Sequence, residues 1–121
     1  MPVNLDELDL AVVIVNKIIA EIKPAVVVGY SQGAIVSLFA QMQYPEVFKN
    51  VVAVCPGMIV GREFRHIDHC NTSIIAHTDD RFTSQALTNQ LAVSLRSEIR
   101  WVNGDHTWSP ETVAAIREIV S

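Results

Sequence analysis

The chain has 121 residues, half of them hydrophobic, so it can bury one core and is predicted to form a single domain over residues 1–121. Its 9 basic and 13 acidic residues give a formal charge of −4, and the basic side chains are scattered along the chain. Binding to nucleic acid is therefore disfavoured, because a phosphate backbone attracts a basic patch.

Three features bear on the location of the protein. The apolar run at residues 10–15 follows an acidic segment rather than the basic one that opens a signal peptide. No uninterrupted stretch reaches the roughly 20 apolar residues that a membrane helix requires. Cys55 and Cys70 are too few for a disulfide scaffold and are predicted to be free thiols. We therefore expect a cytoplasmic protein without a membrane span.

The first third of the sequence predicts a helix, a strand and a second helix. Asn4 and Glu7 form a capping box, and apolar residues then recur at helical spacing until Pro24, which predicts a helix over residues 5–22. Residues 25–28 are apolar without alternation, as in a parallel strand that is covered on both faces. A helix over residues 32–43 should follow.

The remainder repeats this alternation. It contains three further strand candidates and one helical segment between the last two of them: strands at 51–54, 73–76 and 98–102, and a helix at 84–95. Ser109 and Pro110 are a typical N-cap and first helical residue, so the chain should end in a helix. Residues 56–71 have no clear period and predict an irregular crossover or surface loop.

Alternating strands and helices predict the α/β fold class. Parallel neighbours need crossover connections, which are almost always right-handed, so we expect a short parallel sheet of about four strands flanked by helices on both faces. In such open sheets the chemistry lies outside the carboxyl ends of the strands. Candidate functional residues should be sought there.

Polar residues follow three of the predicted strands. They are Ser31, Asp79 or Asp80, and His106, in the chain order nucleophile, acid, base. The serine is the centre of a Gly-x-Ser-x-Gly pentapeptide at a strand-to-helix joint, where small neighbours on both sides would avoid clashes around a strained turn. A tight turn without catalytic function has the same composition. Agreement of three strand ends favours the catalytic interpretation.

Residues 25–121 resemble the C-terminal half of α/β-hydrolases, particularly the carboxylesterase and acyl-protein thioesterase group, with a likeness to phage and cutinase-type esterases. The matching stretches are residues 29–34, 74–80 and 104–106. In this family the acid usually ends a strand–Gly–x–x–Asp pattern. Placing His77 at the glycine position selects Asp80 as the acid, with Asp79 as the fallback.

The resemblance implies a serine hydrolase that cleaves a carboxylic ester or thioester and needs neither a cofactor nor a metal. Ser31 would be the nucleophile, Asp80 the acid and His106 the base, and an acyl-enzyme would form on Ser31. The backbone N–H of Gln32, at the positive end of the following helix, would be the first oxyanion donor.

The family's second oxyanion donor comes from a loop after the third strand of the fold, which has no counterpart in this sequence. Without the earlier strands, the nucleophile strand should lie at a sheet edge, covered by a partner or by the first helix. We therefore expect a homo-oligomer, for example a two-fold dimer. The alternative function is an inactive hydrolase-like module that serves as an oligomeric structural or accessory protein.

The segment at residues 66–70 combines three possible soft or borderline metal ligands, His66, His69 and Cys70, around Asp68. Their spacing matches no standard zinc framework, so a polar loop is the favoured interpretation. Cys55, which follows an apolar strand, is predicted to be a small buried core residue.

Three further residues are candidates for substrate contact: Tyr30, Met58 and Trp108. Trp108 would either line an acyl pocket or pack against the last helix. Met58 lies in the irregular loop together with Ile59 and Phe64, and these apolar side chains would contact either substrate or the core.

Overall fold

The computed structural model describes residues 4–57, 59 and 61–121. Helices and strands alternate in the order α1 (Leu5–Ile22), β1 (Val27–Tyr30), α2 (Gln32–Gln43), β2 (Asn50–Val54), β3 (Asn71–His77), α3 (Gln85–Leu95), β4 (Ile99–Val102) and α4 (Pro110–Val120). The predicted α/β class is confirmed. None of the helices in these ranges combines the length and the apolar character that crossing a membrane requires.

The helices begin where the sequence places capping residues. The Asn4 side chain accepts hydrogen bonds from two N–H groups in the first turn of α1. Ser84 caps α3 and Ser109 caps α4 in the same way, with Pro110 in the first turn of α4. These side chains satisfy N–H groups that have no acceptor within the helix, which explains why the predicted helix boundaries agree with the structure.

The sheet has four parallel strands, as predicted, and their order is β1-β2-β3-β4. Two strands are shifted from their predicted bounds. The first continues to Tyr30, because Tyr30 pairs with Val54 at the end of β2. The third begins at Asn71, which pairs with Asn50 and also donates its side-chain amide to the Asn50 side chain. Pairing with the neighbouring strand decides these limits, and apolar character alone does not reveal it.

Helices cover both faces of the sheet, as predicted. On one face, buried residues of α1, α2 and α3 pack with alternate strand residues such as Val51, Ala53 and Ile74. The opposite face packs Val52 and the other alternate residues against α4. Because its side chains alternate between two buried faces, the central strand β2 has no polar alternation over residues 51–54.

The irregular segment after β2 contributes to the first of these two cores. Ile59 and Phe64 are both buried there, and the Phe64 ring stacks on Phe39 with 4.4 Å between the ring centroids. Of the two roles predicted for these side chains, the structure shows core packing.

The strand that precedes Ser31 lies at the edge of the sheet, as predicted. Within the described residues no strand pairs with the outer side of β1, and 41% of Val28 is exposed. The first helix packs against α2. Its other side presents large apolar side chains to solvent, namely Leu10, Val13, Ile14, Ile18 and Ile22.

Close packing of β1 against α2 requires a glycine at position 29. A Cβ atom there would lie 2.4 Å from the carbonyl oxygen of Gly33 and 2.7 Å from Ser37 Oγ. A Cβ atom at Gly33 would meet nothing within 4 Å. The expectation that both glycines of the pentapeptide avoid a clash is therefore wrong for Gly33. It is the carbonyl group of Gly33 that faces the strand, and a side chain at this position would point into open space.

We expect Gly29→Ala to lower the free energy of unfolding by about 1–3 kcal/mol, because β1 and α2 must move apart to admit the methyl group. The matched control Gly33→Ala introduces the same atom into open space within a helix. It should leave the stability unchanged or raise it by about 1 kcal/mol. Urea unfolding followed by circular dichroism measures both, and equal effects of the two substitutions would contradict the steric explanation.

Candidate active site

Ser31 occupies the turn between β1 and α2 in a strained backbone conformation. Its φ of 55° and ψ of −115° lie outside the regions that side chains usually allow. The Ser31 N–H donates to the carbonyl of Val54 at 2.8 Å, which holds the turn against β2. Although Ser31 stands at the N-cap of α2, its side chain makes no capping hydrogen bond. The hydroxyl is therefore available to another partner.

That partner is His106, in the loop after β4. Ser31 Oγ lies 2.7 Å from His106 Nε2, and His106 Nδ1 lies 2.7 Å from Asp80 Oδ2. The side chains of His106 and Asp80 are only 13% and 5% exposed. The structure thus brings together the three residues selected from the sequence. Asp79 is exposed, and its backbone N–H bonds to Gly104, so Asp80 is the candidate acid that reaches the imidazole.

The Asp80 carboxylate has one further hydrogen-bond donor and a nearby thiol. Its Oδ1 accepts the Phe82 N–H at 2.9 Å. The Cys55 sulfur, directly after β2, lies within 4.8 Å of a carboxylate oxygen of Asp80. Burial, followed by the nearby Asp80 charge, raises the pKa of Cys55 to about 12. The thiol therefore stays protonated at neutral pH.

Cys55 is buried, as predicted, but it is also part of the candidate site. It has a positive φ of 52°, places its sulfur within 4.8 Å of a carboxylate oxygen of Asp80 and lines the cavity beside Ser31. Its position directly after β2, at the carboxyl edge of the sheet, was the one sequence signal for this placement.

Two aromatic residues hold His106 from either side. The Tyr30 hydroxyl donates to the backbone carbonyl of His106 at 3.0 Å, and the Phe82 ring contacts the imidazole edge-on with 4.8 Å between centroids. Burial, and then the nearby acidic groups, raises the pKa of Tyr30, so this hydroxyl remains a donor. The sequence analysis did not identify Phe82, and the Asp-x-Phe turn that places it was the available signal.

His77, which stands where the resembled family has glycine, anchors the loop that carries His106. The side chain is buried, with Nδ1 against the carbonyl of Asp105 and Nε2 2.8 Å from Thr112 Oγ1. Thr112 Oγ1 in turn lies 2.9 Å from the capping hydroxyl of Ser109. A neutral imidazole protonated on Nδ1 satisfies this chain, because it donates to Asp105 and accepts from Thr112. Sequence inspection gave no sign of this connection between β3, the His106 loop and α4.

A cavity of about 500 Å³ opens beside Ser31. Its lining comprises Tyr30, Ser31, Gln32, Ile35, Cys55, Gly57, Phe82, Thr83, Leu87 and His106. Trp108 is half exposed and packs edge-on against Tyr30, with 5.3 Å between ring centroids, outside this lining. Met58 lies outside the described residues. Of the two predicted substrate contacts that the structure describes, Tyr30 lines the cavity and Trp108 does not.

Gln32 is the first residue of α2, directly after the serine, and it borders the same cavity. The first N–H groups of a helix have no acceptor within it and carry the positive end of the helix dipole. This edge of the cavity therefore suits negative charge on an atom bonded to Ser31.

In the part of the chain that the structure describes, the only group of three possible metal ligands that converge is Cys55, Asp80 and His106. Their ligand atoms lie within 4.8 Å of one another. The ligands noted at residues 66–70 form no such group. His66 Nε2 is 3.7 Å from Asp68, whereas Cys70 Sγ contacts the carbonyl of Pro45.

Comparison with known proteins was made by sequence and by structure. No protein-family model and no curated protein sequence matches the chain. Several solved structures do match its fold.

A carboxylesterase from Bacillus cereus is 22% identical, with a TM-score of 0.80 over 96% of this chain and 61% of the other. A CIB-like hydrolase from Thermoplasma acidophilum is 20% identical, with a TM-score of 0.76 over 93% and 57%. SOBER1 from Arabidopsis thaliana is 19% identical, with a TM-score of 0.76 over 97% and 65%.

The coverage of these matches is unequal. Nearly all of this chain aligns, yet it spans only about three-fifths of the length of the carboxylesterase and of the Thermoplasma hydrolase. Its four parallel strands, flanked by four helices, correspond to part of their fold. The chain therefore has the fold of the α/β-hydrolase superfamily, in a truncated form.

Proposed function

We propose that the protein is a serine hydrolase that cleaves a carboxylic ester or thioester through an acyl-enzyme on Ser31. One observation carries the proposal: an unbroken path of hydrogen bonds runs from Ser31 Oγ through both nitrogens of His106 to Asp80, with 2.7 Å at each step. The hydrolase fold of the solved neighbours supports the same reaction class.

In the first half of the reaction, Ser31 Oγ attacks the substrate carbonyl while His106 Nε2 takes its proton. Asp80 accepts a hydrogen bond from the protonated Nδ1 and stabilises the imidazolium that forms. Because Asp80 is buried and held by a further donor, it keeps the imidazole in the tautomer that leaves Nε2 free to act as base. The tetrahedral intermediate then collapses, and His106 returns the proton to the leaving alcohol or thiol.

In the second half, His106 activates water against the acyl-enzyme, and Ser31 leaves with the proton. Both tetrahedral intermediates carry an oxyanion. The backbone N–H of Gln32, at the start of α2, is the proposed donor to it. The cavity beside Ser31 includes Ile35, Phe82 and Leu87, which favours an apolar acyl or alcohol group.

The second candidate function is an inactive hydrolase-like module that acts as a structural or accessory protein. The observation behind it is the coverage of the matches, since this chain aligns with 61% of the carboxylesterase and 57% of the Thermoplasma hydrolase. With a single oxyanion donor the rate would be lower by about 10²–10³, the loss measured when one donor is removed from a protease.

A fluorophosphonate probe separates the two candidates, because it reacts with a serine hydroxyl only when that hydroxyl is activated. We expect labelling of the protein at Ser31 and loss of labelling in Ser31→Ala. Hydrolysis of a short p-nitrophenyl ester should fall by about 10⁴–10⁶ in the same variant, or to background if the starting rate is low. Mass spectrometry of the labelled protein identifies the site.

Ser94→Ala is the matched control, since Ser94 is an exposed serine on α3. It should label and hydrolyse like the unsubstituted protein. Absence of labelling in folded, unsubstituted protein would reject the hydrolase and favour the inactive module.

His77 is proposed as a positioning residue for His106. His77→Ala leaves the Asp105 carbonyl and the Thr112 hydroxyl without their partner, so the free energy of unfolding should fall by about 1–3 kcal/mol. The rate of Ser31 labelling should also fall. His77→Asn keeps a donor near the Nδ1 position and should recover labelling more than His77→Gln, which reaches toward Thr112 instead.

A merely structural role predicts a different result for these variants. Thermal unfolding and labelling kinetics, measured below the unfolding temperature of each protein, separate the two effects. If labelling of the folded variants matched that of the unsubstituted protein, His77 would stabilise the fold without positioning His106.

We further propose that the protein forms a two-fold dimer in which the β1 edges of two copies pair. The outer side of β1 has no partner strand among the described residues, and Val28 on this strand is exposed. The exposed apolar side of α1 adds a surface whose removal from water favours association. A two-fold axis lets one edge meet its own copy antiparallel, which satisfies its free backbone groups.

Val28→Lys should shift the protein from dimer to monomer, because two like charges would meet near the axis and the exposed position tolerates lysine in the monomer. Val93→Lys is the control, since Val93 is 79% exposed on α3 and distant in sequence. Sedimentation velocity at micromolar concentration measures both. A monomeric unsubstituted protein, or a dimer that survives Val28→Lys, would contradict this interface.

A further inference from the structure

We propose that Cys55, Asp80 and His106 form an inhibitory binding site for a borderline-soft divalent cation of the Zn²⁺ type. The inference rests on the proposed function in one respect, because it concerns regulation of the same site. The donors are one thiol, one carboxylate and one imidazole, each from a different strand end, with their ligand atoms within 4.8 Å of one another. Zn²⁺ prefers such mixed sulfur, nitrogen and oxygen ligands.

The ligand atoms would have to move by about 1 Å to hold the ion. Tetrahedral Zn²⁺ holds sulfur at about 2.3 Å and nitrogen or oxygen at about 2.0–2.2 Å, so its ligand atoms are roughly 3.2–3.7 Å apart. Here His106 Nδ1 and Asp80 Oδ2 are 2.7 Å apart and would separate slightly, whereas the other pairs lie no further than 4.8 Å. Cys55 and His106 both line the cavity, which provides the route of entry and space for a water molecule as fourth ligand.

The charges also balance. The balance is drawn for the state in which His106 acts as the proposed base, with a carboxylate on Asp80, a thiol on Cys55 and an uncharged imidazole on His106. Binding of Zn²⁺ releases the Cys55 thiol proton to solvent, and the imidazole proton moves from Nδ1 to Nε2. The products are a neutral centre of one cation, one thiolate and one carboxylate, and one proton. Neutralisation of a buried carboxylate by a directly bound cation offsets the loss of its hydrogen bonds.

Inhibition follows from the tautomer that the cation imposes on His106. With the cation on Nδ1, the proton occupies Nε2, which faces Ser31 Oγ at 2.7 Å. The imidazole then donates to the serine and has no lone pair with which to take its proton. The cation therefore removes the general base without touching Ser31, and its removal by a chelator restores the base.

Cation binding is measured first, without any reference to catalysis. Titration of the whole protein with Cd²⁺ or Co²⁺ should produce the ultraviolet thiolate-to-metal absorption, with release of one proton for each ion. In Cys55→Ser this absorption should be lost and binding should weaken by roughly tenfold or more. Cys70→Ser, which removes the other thiol, should retain the absorption and the affinity of the unsubstituted protein. His106→Gln is a second variant that removes a different ligand and should weaken binding while keeping a thiolate. His66→Gln should bind like the unsubstituted protein.

The functional measurement compares the labelling rate of each protein in the presence of Zn²⁺ with its rate in the absence of Zn²⁺. Zn²⁺ should slow fluorophosphonate labelling of Ser31, excess EDTA should restore it, and Cys55→Ser should need roughly tenfold more Zn²⁺ for the same fractional slowing. No thiolate absorption, or an absorption that persists in Cys55→Ser, would overturn the proposal, as would equal Zn²⁺ sensitivity of Cys55→Ser and Cys70→Ser. If the metal-free protein is not labelled at all, the proposed hydrolase fails, and the absorption experiment still decides the cation site.

Discussion

The contact between β1 and α2 at Gly29 sets the geometry on which the candidate site depends. With a methyl group excluded, the strand runs against the carbonyl of Gly33, and the chain must turn sharply at Ser31 with a positive φ. This turn leaves the Ser31 hydroxyl outside the capping arrangement of α2 and free to meet His106. A looser joint would relax the turn and return the serine to an ordinary capping role.

The His106 loop is held by groups from several elements rather than by its own sequence. Tyr30, from the end of β1, binds the carbonyl of His106, and His77, from the end of β3, binds the carbonyl of the preceding Asp105. His77 also joins this loop to the first turn of α4 through Thr112. Backbone anchoring of this kind orients the imidazole while both of its nitrogens remain available to Ser31 and Asp80.

The same convergence of strand ends gives the site two chemical capacities. The Asp80 side chain is buried and has hydrogen-bond partners in His106 and Phe82, with the Cys55 thiol nearby, which suits a carboxylate that orients an imidazole. A bound Zn²⁺-type cation would take the place of the protons on the Cys55 thiol and on His106 Nδ1, and it would bind these two atoms together with the Asp80 carboxylate. Whether the thiol keeps its proton or binds a metal depends on the ions present, because burial and the Asp80 charge otherwise keep Cys55 protonated.

Local sequence by itself determined the elements: capping residues, Pro24 and apolar spacing located the four helices, and short segments rich in apolar residues located the four strands. Chain order and the pentapeptide at residues 29–33 were enough to select Ser31, His106 and one of two acids, Asp79 or Asp80, because parallel strands end at a common edge. The resemblance to α/β-hydrolases then selected Asp80. Only the tertiary structure decided which residues surround them. Cys55, His77 and Phe82 act across strands and loops far apart in sequence, as do the pairings that extend β1 and β3. Such contacts depend on the twist and register of the assembled sheet, which no local pattern encodes.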